Sequence, residues 1–172
     1  TYGEKLRPTI STNATSLKLK KKRSTTKFTV TGLAKGDYVT SITSSNNKIV
    51  TVTGNKNGTC KIKAGSKTGK ATITIKLASG LTKQIKVTVQ KKAVTCSKIK
   101  NVPKTINLKK KQTYQLKPMI EPITCTDKAK YKSSNKKIAK VTSGKITAVK
   151  KGKTKVTVVV GKKKFVCTVN VR

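Results

Sequence analysis

Four cysteines, four acids and a very large excess of lysine are the residues of this 172-residue chain whose side chains could do chemistry. The cysteines are Cys60, Cys96, Cys125 and Cys167. No two of them are spaced as Cys-x-x-Cys, so neither a zinc ribbon nor a dithiol redox motif is indicated. The acids are Glu4, Asp37, Glu121 and Asp127. So scattered, they provide little for paired-carboxylate hydrolysis or for a carboxylate calcium cage. Histidine is absent. That removes histidine-built metal sites and the Ser-His-Asp and Cys-His nucleophilic groups. No metal and no cofactor is expected, and the chain reads as a non-enzyme.

Charge is the strongest remaining signal. The chain carries 42 Lys+Arg against 4 Asp+Glu, a formal net charge of +38. All but Arg7, Arg23 and Arg172 of those cations are lysine. Such a surface attracts polyanions, with strong salt dependence. The densest basic runs are Lys20, Lys21, Lys22 and Arg23, and then Lys109, Lys110 and Lys111. They are the candidate contacts for an anionic polymer. Specific nucleic-acid readers use arginine forks and aromatic stacking platforms. With three arginines, and with Tyr and Phe mostly inside strand patterns, no specific nucleic-acid partner is expected.

Composition of this kind would suggest disorder, but the order of residues along the chain argues otherwise. Residues 71–77 read ATITIKL, and in 84–89 Ile85, Val87 and Val89 fall on one face. In 165–171 Phe165, Cys167, Val169 and Val171 do the same. This period-two alternation predicts half-buried strands. Asn57-Gly58, Ser79-Gly80, Ser143-Gly144 and Gly161-Lys162 mark the turns. Lysines such as Lys83, Lys86, Lys153 and Lys155 are expected on the outward positions, where they also discourage sheet-to-sheet aggregation. No sustained helical period is seen, and the chain reads as all-β. No apolar run approaches the roughly 18 residues of a membrane span, so no membrane insertion is expected. The abrupt start at Thr1 reads as that of a fragment excised from something longer.

The chain repeats itself. TSITSSNNKIVTV (40–52) aligns with AKYKSSNKKIAKV (129–141), with Ile42 on Tyr131 and Val52 on Val141. Leu19 aligns with Leu108 upstream, and Gly69 with Gly152 downstream. Two copies, each with about seven short strands, predict two β-sandwich domains in tandem. Their expected extents are 1–90 and 93–172, joined at Gln90-Lys91-Lys92-Ala93. A short lysine-rich joint without a Gly/Ser run favours a restrained, elongated arrangement of monomeric chains.

YKSSNKKIAKVTSGKITAVKKGKTKVTV resembles the signature of group 2 bacterial immunoglobulin-like domains. The residues that carry the resemblance are Tyr131, Ser133, Ser134, Asn135, Ile138, Ala139, Val141, Gly144, Ile146, Ala148, Gly152 and Val156. The first copy keeps Ser44, Ser45, Asn46, Ile49, Val52 and Gly69, with Ile42 in place of the aromatic and Val50 in place of the alanine. The resemblance implies an immunoglobulin-like sandwich from a bacterial cell-surface or secreted protein, of the kind found in intimin- and invasin-type adhesins. Such modules serve as stalks, spacers or adhesive units and bring no catalytic residues. In such a frame Asn46 and Asn135 suit turns, Gly144 and Gly152 suit tight connections, and Tyr131 fills core.

Disulfides are permitted outside the cell. Within a seven-strand sandwich Cys96 and Cys125 fall at the same pole, which makes Cys96–Cys125 one candidate bridge. Cys125–Cys167 is its rival, and four reduced thiols are the third alternative. Cys60 lies in the other domain, as a buried thiol. Three functions stay open at this stage: a structural or adhesive module, a basic module that docks anionic cell-wall polymers or host glycans, and domains appended to a secreted enzyme.

Overall fold

The computed structural model describes residues 7–172. The chain divides into two compact units, Thr1–Val94 and Thr95–Arg172. Unit 1 contains β1 (Ser11–Thr12), β2 (Ser16–Lys20), β3 (Ser24–Thr25), β4 (Val30–Thr31), β5 (Val39–Ser44), β6 (Val50–Gly54), β7 (Cys60–Ala64), β8 (Gly69–Leu77) and β9 (Thr82–Gln90). Unit 2 contains β10 (Lys98–Lys100), β11 (Thr105–Leu108), β12 (Thr113–Gln115), β13 (Met119–Glu121), β14 (Ala129–Ser133), β15 (Ala139–Thr142), β16 (Lys145–Ala148), β17 (Gly152–Val160) and β18 (Lys163–Val171). Among the described residues there is no helix.

The two units share one design. Unit 1 has a four-stranded sheet in the order β2-β9-β8-β5 and a three-stranded sheet β3-β7-β6. Unit 2 has the four-stranded sheet β11-β18-β17-β14 and the three-stranded sheet β12-β16-β15. In each, the first long strand runs parallel to the last: Leu19 pairs with Val89, and Leu108 with Val171. The other pairings are antiparallel. This is an all-β, immunoglobulin-like sandwich of four plus three strands. Each unit adds a two-stranded ribbon, β1-β4 in one and β10-β13 in the other. The ribbons are too short to show alternation, which is why the sequence pattern gives seven strands per unit and not nine.

The alternation decides which side chains are buried. In unit 2, Val156, Val158 and Val160 of β17 lie on the same sheet face as Cys167, Val169 and Val171 of β18, and all are within 4% of full burial. Val156 stands opposite Cys167 and Val158 opposite Phe165. Ile146, Ala148 and Ala139 of the smaller sheet complete the same core. Tyr131 and Phe165 pack against it, half-buried. In unit 1, Ile73, Ile75, Ile85 and Val87 are fully buried beside Ile62 and Phe28. Lys86, Lys153 and Lys155 stand outward as expected. Lys83 does not: it has the parity of Ile85, pairs opposite Ile75 and is half-buried at the sheet margin. A lysine tolerates such a place because its stem can cover apolar surface with the ammonium in water.

Gly152 illustrates how the fold selects residue type. Its φ is +148, and a side chain there would press on Ile138 Cδ1 at 2.8 Å. Gly69 holds the same place in unit 1, with φ +155 and Ile49 Cδ1 at 3.0 Å. Truncating the core and straining the backbone are therefore distinct injuries. Ile146→Ala should cost unit 2 about 2–5 kcal/mol through its cavity. Gly152→Ala should cost about 1–3 kcal/mol through strain. Urea unfolding of the two variants checks both, and an unchanged midpoint for Ile146→Ala contradicts the core described here.

Candidate functional site

The two basic runs form the same turn in the two units. In unit 1 the Arg23 N–H donates to Lys20 O at 3.1 Å, closing a turn after β2. In unit 2 the Gln112 N–H donates to Lys109 O at 3.0 Å, closing the turn after β11. The third residue of each turn has a left-handed backbone: Lys22 has φ 65 and Lys111 φ 71. That region favours Gly or Asn, and an ordinary L side chain there costs roughly 1–2 kcal/mol. Lysine occupies the position in both turns.

Backbone hydrogen bonds tie each turn to the other loops at the same end of its sandwich. In unit 2, Lys111 N–H donates to Ala148 O at 2.9 Å and Lys110 N–H to Arg172 O at 3.3 Å. Val149 and Lys150 N–H both donate to Ile138 O, at 2.8 and 3.2 Å. In unit 1, Lys22 N–H donates to Gly65 O at 2.9 Å, Lys21 N–H to Gln90 O at 2.9 Å, and Gly65 N–H to Ile49 O at 2.8 Å. Three loops and the end of the last strand thus form one pole in each unit.

The Ser-Ser-Asn turns belong to that pole. Asn46 Oδ1 accepts from Lys48 N–H and Asn135 Oδ1 from Lys137 N–H, both at 3.0 Å. The asparagines shape the turns through side-chain bonds to nearby backbone, as their residue type implied. Ser45 Oγ accepts from Thr72 N–H at 2.8 Å, and Ser134 Oγ from Lys155 N–H at 3.1 Å, fastening each turn to the neighbouring long strand. With the turns come further exposed cations: Lys48 and Lys67 in unit 1, and Lys136, Lys137, Lys150 and Lys151 in unit 2. Contiguous lysines mark Lys20–Lys22 and Lys109–Lys111 in the sequence, as they also mark Lys162–Lys164 at the other end of unit 2. The other cations of the pole are dispersed in sequence, and the sheet register gathers them.

The described acids lie away from this pole. Asp37 and Asp127 each stand two residues before the strand that follows, β5 or β14. Each lies against the tip of its unit's long hairpin. Asp37 Oδ1 accepts from Tyr38 and Ser79 N–H at 3.0 and 3.1 Å, and Oδ2 accepts from the Ser79 hydroxyl at 2.6 Å. The Asp127 carboxylate occupies the place a side chain on Gly161 would need, and its Oδ2 accepts from Cys96 N–H at 3.1 Å. Glu121 pairs with Lys100 at 2.6 Å, both about half exposed. A pair so wet contributes little.

The four cysteines are buried and free. Cys96 and Cys125 flank Asp127: its carboxylate accepts from Cys96 N–H, and its own N–H reaches Cys125 Sγ at 3.3 Å. Burial pushes the Cys125 thiol up, and the Asp127 and Cys96 charges add to that. Cys167 is fully buried in β18, with Sγ 3.8 Å from Thr168 O. Cys60 Sγ reaches Phe28 O at 3.4 Å inside unit 1. Burial raises both thiols. Among the described residues no group of three or more Cys, Asp or Glu could hold a metal ion.

The Ser79 hydroxyl, aided by two backbone N–H groups, holds the Asp37 carboxyl below its usual value of 3.8. A carboxyl whose folded value is depressed stabilises the fold above its unfolded value and loses that contribution as pH falls through the folded one. Wild-type unit 1 should therefore weaken below pH 3.8 more steeply than the Asp37→Asn variant. Urea midpoints measured from pH 7 down to pH 2 check this; parallel pH profiles would sink it.

Residues 93–171 match the model of the family described as bacterial Ig-like domain (group 2). No curated protein sequence matches the chain. Among solved structures, the S-layer protein rSbsC(31-844) is similar at 21% identity and TM-score 0.43, over 84% of this chain and 23% of that one. The chain therefore spans about a quarter of that structure. Domains 5-6 of the S-layer protein SbsC are similar at 20% identity and TM-score 0.44, over 95% of this chain and 96% of that one. The C-terminal 282-residue fragment of intimin, solved with the intimin-binding domain of its translocated receptor, is similar at 16% identity and TM-score 0.32, over 94% of this chain and 62% of that one. At such scores the fold assignment rests on strand order and on the family match. The second unit, across residues 93–171, is a bacterial immunoglobulin-like domain of group 2.

Proposed function

We propose that the chain is a non-catalytic structural or adhesive module, a stalk or spacer, of a bacterial cell-surface or secreted protein. The observation that carries this is the group 2 match over residues 93–171, joined to the identical strand order of the unit before it. On this reading both units are tandem copies of one domain, 1–90 and 93–172, and the chain is a monomer. No described helix is long and apolar enough to cross a membrane. Antibody raised against the chain should label intact, unpermeabilised cells of its source, or its culture medium. Labelling confined to lysed cells would end the proposal.

The same reading places the thiols in an oxidising exterior. Cys96 and Cys125 then form a disulfide: two thiols lose two protons and two electrons to an extracellular oxidant such as a small-molecule disulfide. Their shared attachment to Asp127 supports this pairing over Cys125–Cys167. Protein recovered from culture, alkylated and digested without reduction, should yield a Cys96–Cys125 linked peptide. Four alkylated thiols, or a Cys125–Cys167 peptide, would refute it.

A further inference from the structure

We infer that the basic pole of each unit is a docking surface for a ring-free phosphodiester polymer of the poly(glycerol phosphate) type. The inference uses the surface placement proposed above only for the source of such a polymer; the site itself is argued from geometry.

Concentration of charge is the first ground. In unit 2 the hydrogen bonds that join the turn after β11 to Ala148, Arg172 and the loop ending at Ile138 bring three lysine-bearing loops and a terminal arginine to one end. The equivalent bonds in unit 1 do the same for the turn after β2. No acid lies in any of these loops, whereas Asp37 and Asp127 are held at the opposite end beside the hairpin tips. The opposite end of unit 2 also bears Lys162, Lys163 and Lys164, but beside Asp127, so the acid-free pole is the end at which a polyanion meets no carboxylate.

The lysines at positive φ are the second ground. A turn of this shape is best served by Gly or Asn, yet Lys22 and Lys111 both fill it. Backbone demand alone would not select lysine at either position. Its side chain is exposed in both units.

The chemistry of the pole selects the ligand. None of the pole loops contains an aromatic residue. The side chains that stack nucleobases or sugar rings are thus missing, and base stacking is what sequence-tolerant nucleic-acid grooves rely on. Tyr38, whose ring carries Lys56 Nζ 5.6 Å from its centroid, lies by the cavity formed with Val39, Ile42 and Gly54 at the far end. The cations are nearly all ammonium groups, which bind phosphate as point charges, without the planar fork that arginine offers. A flexible chain of repeating phosphates, without rings, satisfies such a surface.

The test is titration of the whole chain with poly(glycerol phosphate), heparin and oligo(dT) of matched charge. Two six-site variants are compared with wild type. One carries Lys→Gln at Lys20, Lys21, Lys22, Lys109, Lys110 and Lys111. The other removes equal charge at Lys35, Lys56, Lys61, Lys162, Lys163 and Lys164. The first should lose at least about tenfold more affinity for poly(glycerol phosphate) than the second, and its salt slope should fall by about one for each lysine that contacts a phosphate. Equal losses in the two variants would overturn the site in favour of diffuse charge. Tighter binding of heparin or oligo(dT) than of poly(glycerol phosphate) would overturn the ring-free ligand. Should the first variant not fold, amine labelling of wild type with and without polymer reads the same site. Protection concentrated on the pole lysines supports it, and uniform protection refutes it. All these readouts come from the purified chain, so they fail or succeed separately from the labelling of cells.

Discussion

Mutual repulsion among lysines is the constraint under which this molecule folds. With a net charge of +38 and three acids among the described residues, ion pairing cannot offset it; the Lys100–Glu121 pair is half exposed and weak. What holds the chain is apolar burial organised by alternation. Along the long hairpins most alternate residues are Val, Ile, Leu, Ala or Cys and face inward. The lysines between them point to water, where a dielectric near 80 makes each repulsion small. A one-residue slip in register would drive several ammonium groups into the core at once. The charge that opposes folding therefore also enforces its register.

The few residues that are neither apolar nor lysine have placed work. Asp37 and Asp127, two of only four acids, hold equivalent positions between the strand that follows and the hairpin tip. Asn46 and Asn135 cap equivalent turns. Gly69 and Gly152 open equivalent strands. In a surface so uniform these pairs are the fixed points of the repeat, and they define the two ends of each sandwich: one with carboxylates bound to backbone, the other with clustered ammonium groups.

Much of this was legible in the order of residues. Alternation through Ile85, Val87 and Val89, and through Cys167, Val169 and Val171, gave strands because a half-buried sheet face has no other period. The second unit was legible as a family member because its turn, aromatic and glycines all stand together. The ribbons at Ser11–Thr12 and Lys98–Lys100 were not legible, since two or three residues carry no period. Lys83 was assigned outward because lysine is polar, and parity overrode that: it follows Ile85, not Lys86. The basic pole was half seen. Contiguous lysines show in sequence, whereas Lys48, Lys67 and Lys150 join them only through pairing at long range. The Asp37–Asp127 equivalence was available as a matching offset, but single acids in a lysine-rich chain give no local pattern to notice.

The parallel pairing of first and last strands has a kinetic consequence. Leu19 waits for Val89, and Leu108 for Val171. Contacts of such sequence separation carry the loop-closure entropy of the whole unit and form late. A chain delivered from its N-terminus cannot close either four-stranded sheet until the final strand of that unit has emerged. Each unit thus stays open until its last strand is in place, and that strand is the latch of the fold.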